Sequence, residues 1–248
     1  MFLRRKRKAW AWGLSLVALL VGLISQPSAM AGRLTVSPMQ VKLPPDGDTA
    51  VLSVTNAGAA EILVQVEGFD WLNGADLQSL TSTNELIFVP AVFEVAPGQS
   101  QVLRIALRKP SQTTSEETYR LVIREVPTGL VTGPGNVGFA VSVSLPVFVS
   151  PERVAPEPVW FMRERTEGRP ELVLANRGTA HIRVHGLQIA AVGELEPLVS
   201  IAEAAYVLAG EERSWPLDLK ASALDGPFTV KAETRLGTLE APVALEGN

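Results

Sequence analysis

Val137-Gly138-Phe139-Ala140-Val141-Ser142-Val143-Ser144-Leu145-Pro146-Val147-Phe148-Val149 carries an apolar side chain at every odd position. Successive side chains of a strand point to opposite faces, so this pattern lays one unbroken apolar row along one face. The even positions hold Gly138, Ala140, Ser142, Ser144 and Pro146, all small or conformationally special, and then Phe148. A core strand with its small face toward solvent would look like this. Its length sets it apart, because a typical strand runs only ~5–6 residues. A strand that outruns its own sheet can lend its apolar side chains to another protein.

The same period of two recurs outward in both directions. Ala50, Leu52 and Val54 alternate with Val51, Ser53 and Thr55 until Asn56-Ala57-Gly58. Ile62, Val64 and Val66, the run Val102 to Leu107, and Tyr119, Leu121 and Ile123 follow the same rule, each bounded by turn residues. Downstream, Glu171 to Asn176, Ile182 to Val184, Phe228 to Ala232 and Pro242 to Leu245 repeat it. Short runs rich in β-branched and aromatic residues, without i, i+3, i+4 periodicity, predict antiparallel sandwiches. Ser150-Pro151-Glu152-Arg153-Val154-Ala155-Pro156-Glu157-Pro158 interrupts them with three prolines and no apolar face, the composition of a semi-rigid connector. The expected organisation is therefore a first domain over 32–150, a linker over 151–158 and a second domain over 159–248.

Upstream lies the pattern of an export signal. Arg4-Arg5-Lys6-Arg7-Lys8 precedes an uncharged run from Ala9 to Ile24, then Gln26-Pro27 and Ala29-Met30-Ala31. A basic n-region, a short apolar stretch and an A-x-A site predict a signal peptide over 1–31, cleaved after Ala31. The apolar run is shorter than the ~20 residues a spanning helix needs, so no transmembrane span is expected after cleavage. Without these residues the chain holds 17 Lys and Arg against 26 Asp and Glu, a net charge of −9. Such a chain is a poor ligand for nucleic acid or an anionic membrane.

Catalytic chemistry has little to work with. The 248 residues include no cysteine and two histidines, which excludes thiol enzymes, zinc ribbons and iron–sulfur sites. Gly133-Pro134-Gly135-Asn136-Val137-Gly138 spells G-x-G-x-x-G, yet the following residues alternate as a strand where a dinucleotide site requires a helix. His181 and His185 are spaced H-x-x-x-H, but on a strand their side chains stand about 13 Å apart, too far to share a metal. They share a face with Arg183 and are expected to point to solvent. No G-x-S-x-G elbow accompanies them. The expectation is no enzyme, no metal, no cofactor and no small-molecule substrate.

Two longer segments carry a resemblance. Ile87-Phe88-Val89-Pro90-Ala91-Val92-Phe93-Glu94-Val95-Ala96-Pro97-Gly98-Gln99-Ser100-Gln101-Val102-Leu103-Arg104-Ile105 joins a proline-marked strand, a Pro-Gly turn and a Q-x-x-R-I strand. Glu117-Thr118-Tyr119-Arg120-Leu121-Val122-Ile123-Arg124-Glu125-Val126-Pro127 is similar to a signature whose Y-R-x-x-I-R-E-x-P part it matches from Tyr119 onward. With Leu52 to Asn56 and Leu172 to Asn176 as matching L-x-x-x-N strands, the ordered set resembles the fimbrial (pilus) periplasmic chaperones of the chaperone–usher route. The Ser144-Leu145-Pro146-Val147-Phe148 ending resembles the archaic, spore-coat-protein-U-associated branch.

The resemblance implies two immunoglobulin-like β-sandwich domains set at an angle, in the periplasm, with pilus or spore-coat-U-like subunits and an outer-membrane usher as partners. It implies donor-strand complementation, in which Val137, Phe139, Val141 and Val143 fill the groove of an incomplete subunit. Gln40 and Pro146 stand where the family's basic carboxylate clamp is usual. Arg120 is therefore the first candidate anchor for the terminal carboxylate of a bound subunit, followed by Arg124 and Lys42. Glu116 aligns with an acidic interdomain residue, while Ser150 occupies the position of its expected arginine partner. The alternative is a structural pilus subunit or two-domain adhesin, although a subunit should be one incomplete sandwich behind an N-terminal donor extension.

Overall fold

The computed structural model describes residues 34–72, 79–127, 140–164, 169–194, 196–219, 226–235 and 237–245. The expected signal peptide and the residues Val137 and Phe139 lie outside them. Among the described residues there is no α-helix. The chain is all-β, as its period-2 patterning predicts.

The first sandwich faces two sheets across one core. One sheet orders β1 (Leu34–Ser37), β3 (Ala50–Asn56), β8 (Ser100–Leu107) and β6 (Leu86–Val89). The other orders β2 (Val41–Leu43), β10 (Ser142–Val149), β9 (Glu117–Val126), β4 (Ile62–Asp70) and β5 (Thr81–Ser82), with β7 (Val92–Val95) also on β4. Between Ser37 and Val41 the chain leaves the first sheet and joins the second, where β2 runs parallel to the end of β10. Alternation decides what goes inside: Leu52, Val54, Val64, Leu103, Leu121 and Leu145 are among the residues that fill the core. Most of their outward neighbours stay at least partly in water.

The second sandwich is one sheet folded over on itself, in the order β14 (Val199–Ile201), β13 (Ile182–Ala191), β17 (Phe228–Thr234), β18 (Gly237–Leu245), β11 (Pro158–Glu164), β12 (Pro170–Asn176) and β16 (Glu212–Pro216). A further strand, β15 (Ala205–Val207), pairs with β13. The fold closes where β11 meets β18 in parallel at Phe161↔Ala244. Every residue of β12 is buried, consistent with the continuous apolar run Leu172-Val173-Leu174-Ala175. Trp160 and Trp215 stack inside it with centroids 6.2 Å apart. Residues 150–157 contain no strand. Pro158 opens β11, a position where its missing N–H costs little.

The two L-x-x-x-N strands solve one problem twice. Asn56 is fully buried, donating from Nδ2 to the carbonyls of Ala60 and Val95 and accepting the Gly58 amide at Oδ1. Asn176 does the same with Ala180, Val207 and Leu208 as acceptors and the amides of Gly178 and Glu157 as donors. Each side chain closes a sandwich corner whose backbone groups would otherwise be buried unpaired.

Candidate functional site

The long alternating strand is supported unequally along its length. β10 pairs with β9 over all of Ser142–Val149, but its other edge meets β2 only from Val147 onward. From Ser142 to Pro146 that edge has no strand partner among the described residues. Burial changes in step. Leu145, Val147 and Val149 are completely buried in the first core, whereas Val141 and Val143, on the same face, are only partly buried against it. Both valines thus sit at the core's rim, next to an open backbone edge. Unpaired edges of this kind are templates for another strand.

The end of the opposite face, around Phe148, is covered by the second sandwich. Phe148 is completely buried there, clustered with Trp71 and Leu208 and flanked by Tyr206. Its ring stacks on the His181 imidazole with centroids 3.8 Å apart and an 11° interplanar angle. Burying one phenylalanine in this way is worth about 1.5–3 kcal/mol.

Beside Phe148 lies a buried carboxylate. Glu116, its side chain 4% exposed, accepts hydrogen bonds from Ser150 Oγ at 2.6 Å, the His181 amide at 2.8 Å and His181 Nδ1 at 2.6 Å. Burial by itself would raise the Glu116 pKa. Hydrogen bonds from the His181 side chain, Ser150 and the His181 amide, and the His181 charge, outweigh burial and hold it below the ordinary carboxylate value. The backbone reinforces the junction: the Glu116 amide donates to the Thr179 carbonyl at 2.8 Å, and the Thr179 amide to the Ala155 carbonyl at 2.8 Å.

His181 is therefore not the solvent-facing residue expected from its place beside Arg183. It precedes β13, out of the strand's alternation, and its ring fills the seam between the sandwiches. His185 is exposed as expected.

The candidate anchors have different surroundings. Arg120 pairs across the sheet with Pro146 and Phe69, on the seam face. Its Cζ stands 3.7 Å from the Trp71 ring centroid and 6.0 Å from that of Tyr206. Burial lowers its pKa, an effect that Tyr206 partly offsets. No carboxylate pairs with it among the described residues. Arg124, by contrast, is bound to Glu67 at 2.7 Å on an exposed part of the sheet. Lys42 is exposed, beside Phe148 in the β2–β10 register. Gln40 accepts from Arg235 Nη1 of the second sandwich at 2.7 Å.

The aromatic seam is not foreseen from the sequence. Trp71, Tyr206 and Phe148 come from segments far apart in the chain, and no spacing rule joins them. One signal is present: Phe148 is the single large apolar residue on the small face of its strand, which implies that something covers that face.

A search of curated proteins gave no match. Residues 33–155 match the family model described as "Pili and flagellar-assembly chaperone, PapD N-terminal domain". Among solved structures, the chain is similar to one in the CsuC–CsuE chaperone–tip adhesion subunit pre-assembly complex from archaic chaperone–usher Csu pili of Acinetobacter baumannii. The TM-score is 0.65 at 19% identity, over 86% of this chain and 99% of that one. It is also similar to the E. coli chaperone DraB, with a TM-score of 0.59 at 21% identity over 84% and 96% of the two chains. The Pseudomonas aeruginosa CupB2 chaperone follows at 0.56 and 18%, over 85% and 100%. At these identities the structures establish the two-domain β chaperone fold, and the family model adds the rest. Carrying the PapD N-terminal domain over residues 33–155, the chain belongs to the pili and flagellar-assembly chaperone family, whose members are chaperones and not enzymes.

Proposed function

We infer that this chaperone captures pilus subunits by donor-strand complementation in the periplasm and delivers them to an outer-membrane usher. The observation that carries this reading is the edge of β10 from Ser142 to Pro146, which has no strand partner among the described residues, with Val141 and Val143 half-buried beside it. An incomplete subunit exposes a hydrophobic groove and two unpaired strand edges. A strand offering main-chain donors and alternating valines satisfies both deficits at once. Val137 and Phe139 continue the apolar row and would extend it into the groove. Each filled position would contribute about 1.5–3 kcal/mol.

The CsuC–CsuE complex, described as a chaperone–tip adhesion subunit pre-assembly complex, supports a subunit as the partner. The anchor for the subunit's terminal carboxylate is best assigned to Arg120. It is a half-buried cation on the seam face, and bringing an anion to it would offset its desolvation. Arg124 already has a carboxylate partner, and Lys42 lies in open solvent. The Glu116–His181 contact would then hold the two sandwiches in register behind the bound subunit.

Co-expression with the subunits encoded beside it, followed by affinity purification from the periplasm, tests the reading. The wild type should retain a small β-rich protein in 1:1 ratio, and a Phe139→Asp, Val141→Asp variant should lose it. Retention by the double variant, or no partner for the wild type, would favour a structural pilus protein instead.

A further inference from the structure

The ladder that closes the second edge of β10 is short. β2 has three residues, and β10 is its only strand partner among the described residues, with Val147, Phe148 and Val149 opposite Val41, Lys42 and Leu43. Parallel pairs are slightly weaker per residue than antiparallel ones, and Pro146, one step before the ladder, has no N–H with which to lengthen it. Upstream, Ser37, Pro38 and Met39 are exposed, so burial does not steady the chain as it enters β2. Val41 and Leu43 are buried and tie β2 to the core. A strand added along the same edge would nevertheless compete with β2 for the main-chain groups of Val147 to Val149.

The second sandwich reaches both ends of this ladder. At its start, Arg235, in the turn between β17 and β18, donates from Nη1 to Gln40 Oε1 at 2.7 Å, and Gln40 directly precedes β2. At its end, Ser150 directly follows β10. The Ser150 amide donates to the Leu43 carbonyl at 3.3 Å, and its hydroxyl donates to Glu116, which also accepts from His181. Between the two ends, the Phe148 ring stacks on the His181 imidazole. We propose that the second sandwich is the stop for an incoming subunit strand: Arg235 and His181 are positioning residues that keep β2 on β10, so that the added strand ends at Pro146 and cannot displace β2. This rests on the donor-strand reading and gives the second sandwich a part in it. Register is the consequence, because a strand free to run on by two residues keeps its faces but places every side chain one position out of step.

The test uses the complex purified after co-expression with a subunit. The chain has no cysteine, so Ser142→Cys, at an exposed position of β10, supplies a single thiol for a benzophenone maleimide. Photocrosslinking and peptide mass spectrometry then identify the subunit residue beside it, while amide exchange is followed over residues 41–43. With the ladder intact, one subunit position should be captured. Arg235→Ala should speed exchange over residues 41–43 by about tenfold, as expected for one lost hydrogen bond, and spread the capture to a second position two residues away. Arg235→Lys, which can still donate to Gln40, should restore the single position. A contact that served stability alone would leave the captured position unchanged. If Arg235→Ala and an Arg235→Ala, Ser150→Ala double variant both keep one captured position, β2 is not held as a stop and the proposal falls, with the donor-strand reading intact. If the wild type retains no subunit, the donor-strand reading fails and the stop with it.

Discussion

Replacing Glu116 by alanine removes one acceptor group from three donors at once: Ser150 Oγ, the His181 amide and His181 Nδ1. The site is nearly closed to solvent, with side-chain exposures of 4% for Glu116 and 14% for His181, so water replaces the carboxylate poorly. A buried donor left unpaired costs about 1–3 kcal/mol. The Ser150 hydroxyl can rotate to another acceptor, which leaves two donors and an expected loss of about 2–6 kcal/mol for Glu116→Ala. His181→Ala removes the ring that stacks on Phe148 as well as the Nδ1 bond, and should cost a similar amount. Because the two share one interaction, their effects should not add. Urea unfolding followed by tryptophan fluorescence, on both single variants and the double variant, should give a coupling energy of about 1.5–3 kcal/mol. The carboxylate also sets a pH dependence. Its folded pKa is lowered, so its stabilisation is fully present above the unfolded value of 4.5 and disappears as pH falls through the folded value. Wild-type stability should therefore fall more steeply below about pH 4.5 than that of Glu116→Ala. Additivity within about 0.5 kcal/mol, together with parallel acid profiles, would refute the buried-carboxylate description of the seam.

Other consequences follow from single atoms. A Cβ on Gly178 would lie 2.3 Å from the Ala155 carbonyl oxygen and 2.4 Å from the Glu157 amide nitrogen, both backbone atoms, so Gly178→Ala should destabilise by about 1–3 kcal/mol in urea titrations. Asn176→Ala leaves three carbonyls and two amides without their partner, and should cost at least about 2–3 kcal/mol, whereas Gln101→Ala on the exposed sheet should stay within about 0.5 kcal/mol. Phe148→Ala should lose about 3–5 kcal/mol, because the emptied space is walled by Trp71, Leu208 and the His181 ring. Breaking the Arg124–Glu67 pair should change stability by less than about 1 kcal/mol, since both side chains are at least a third exposed.

The strands were legible because each residue's facing depends only on its neighbours. Leu52 and Val54, or Leu121 and Ile123, follow from alternation alone, and the structure buries all four. The two asparagines could be read as the matching ends of two L-x-x-x-N strands, though neither their corner role nor the carbonyls they satisfy could be. The seam was legible only in fragments. Glu116 could be picked out, but its partner could not: a histidine next to Ile182-Arg183-Val184 reads as the next outward residue of a strand. His181 instead turns inward just before the strand begins. Trp71 and Tyr206 give no periodic signal at all, because what makes them neighbours is the packing of one sandwich on another. The alternation of Val137 to Val149 showed that an apolar face was on offer. Which part of it is covered by the protein's own core depends on where β2 stops, and no local pattern encodes that.

The central claim is that the edge of β10 is completed by a subunit strand. Amide hydrogen exchange over residues 140–147, measured on the free protein and on its complex with a co-expressed subunit, tests it most directly. If a subunit strand adds there, amides between Ser142 and Pro146 that point away from β9 should exchange rapidly in the free protein and become strongly protected in the complex. Unchanged exchange along this edge in a stable complex, with protection appearing elsewhere, would contradict it.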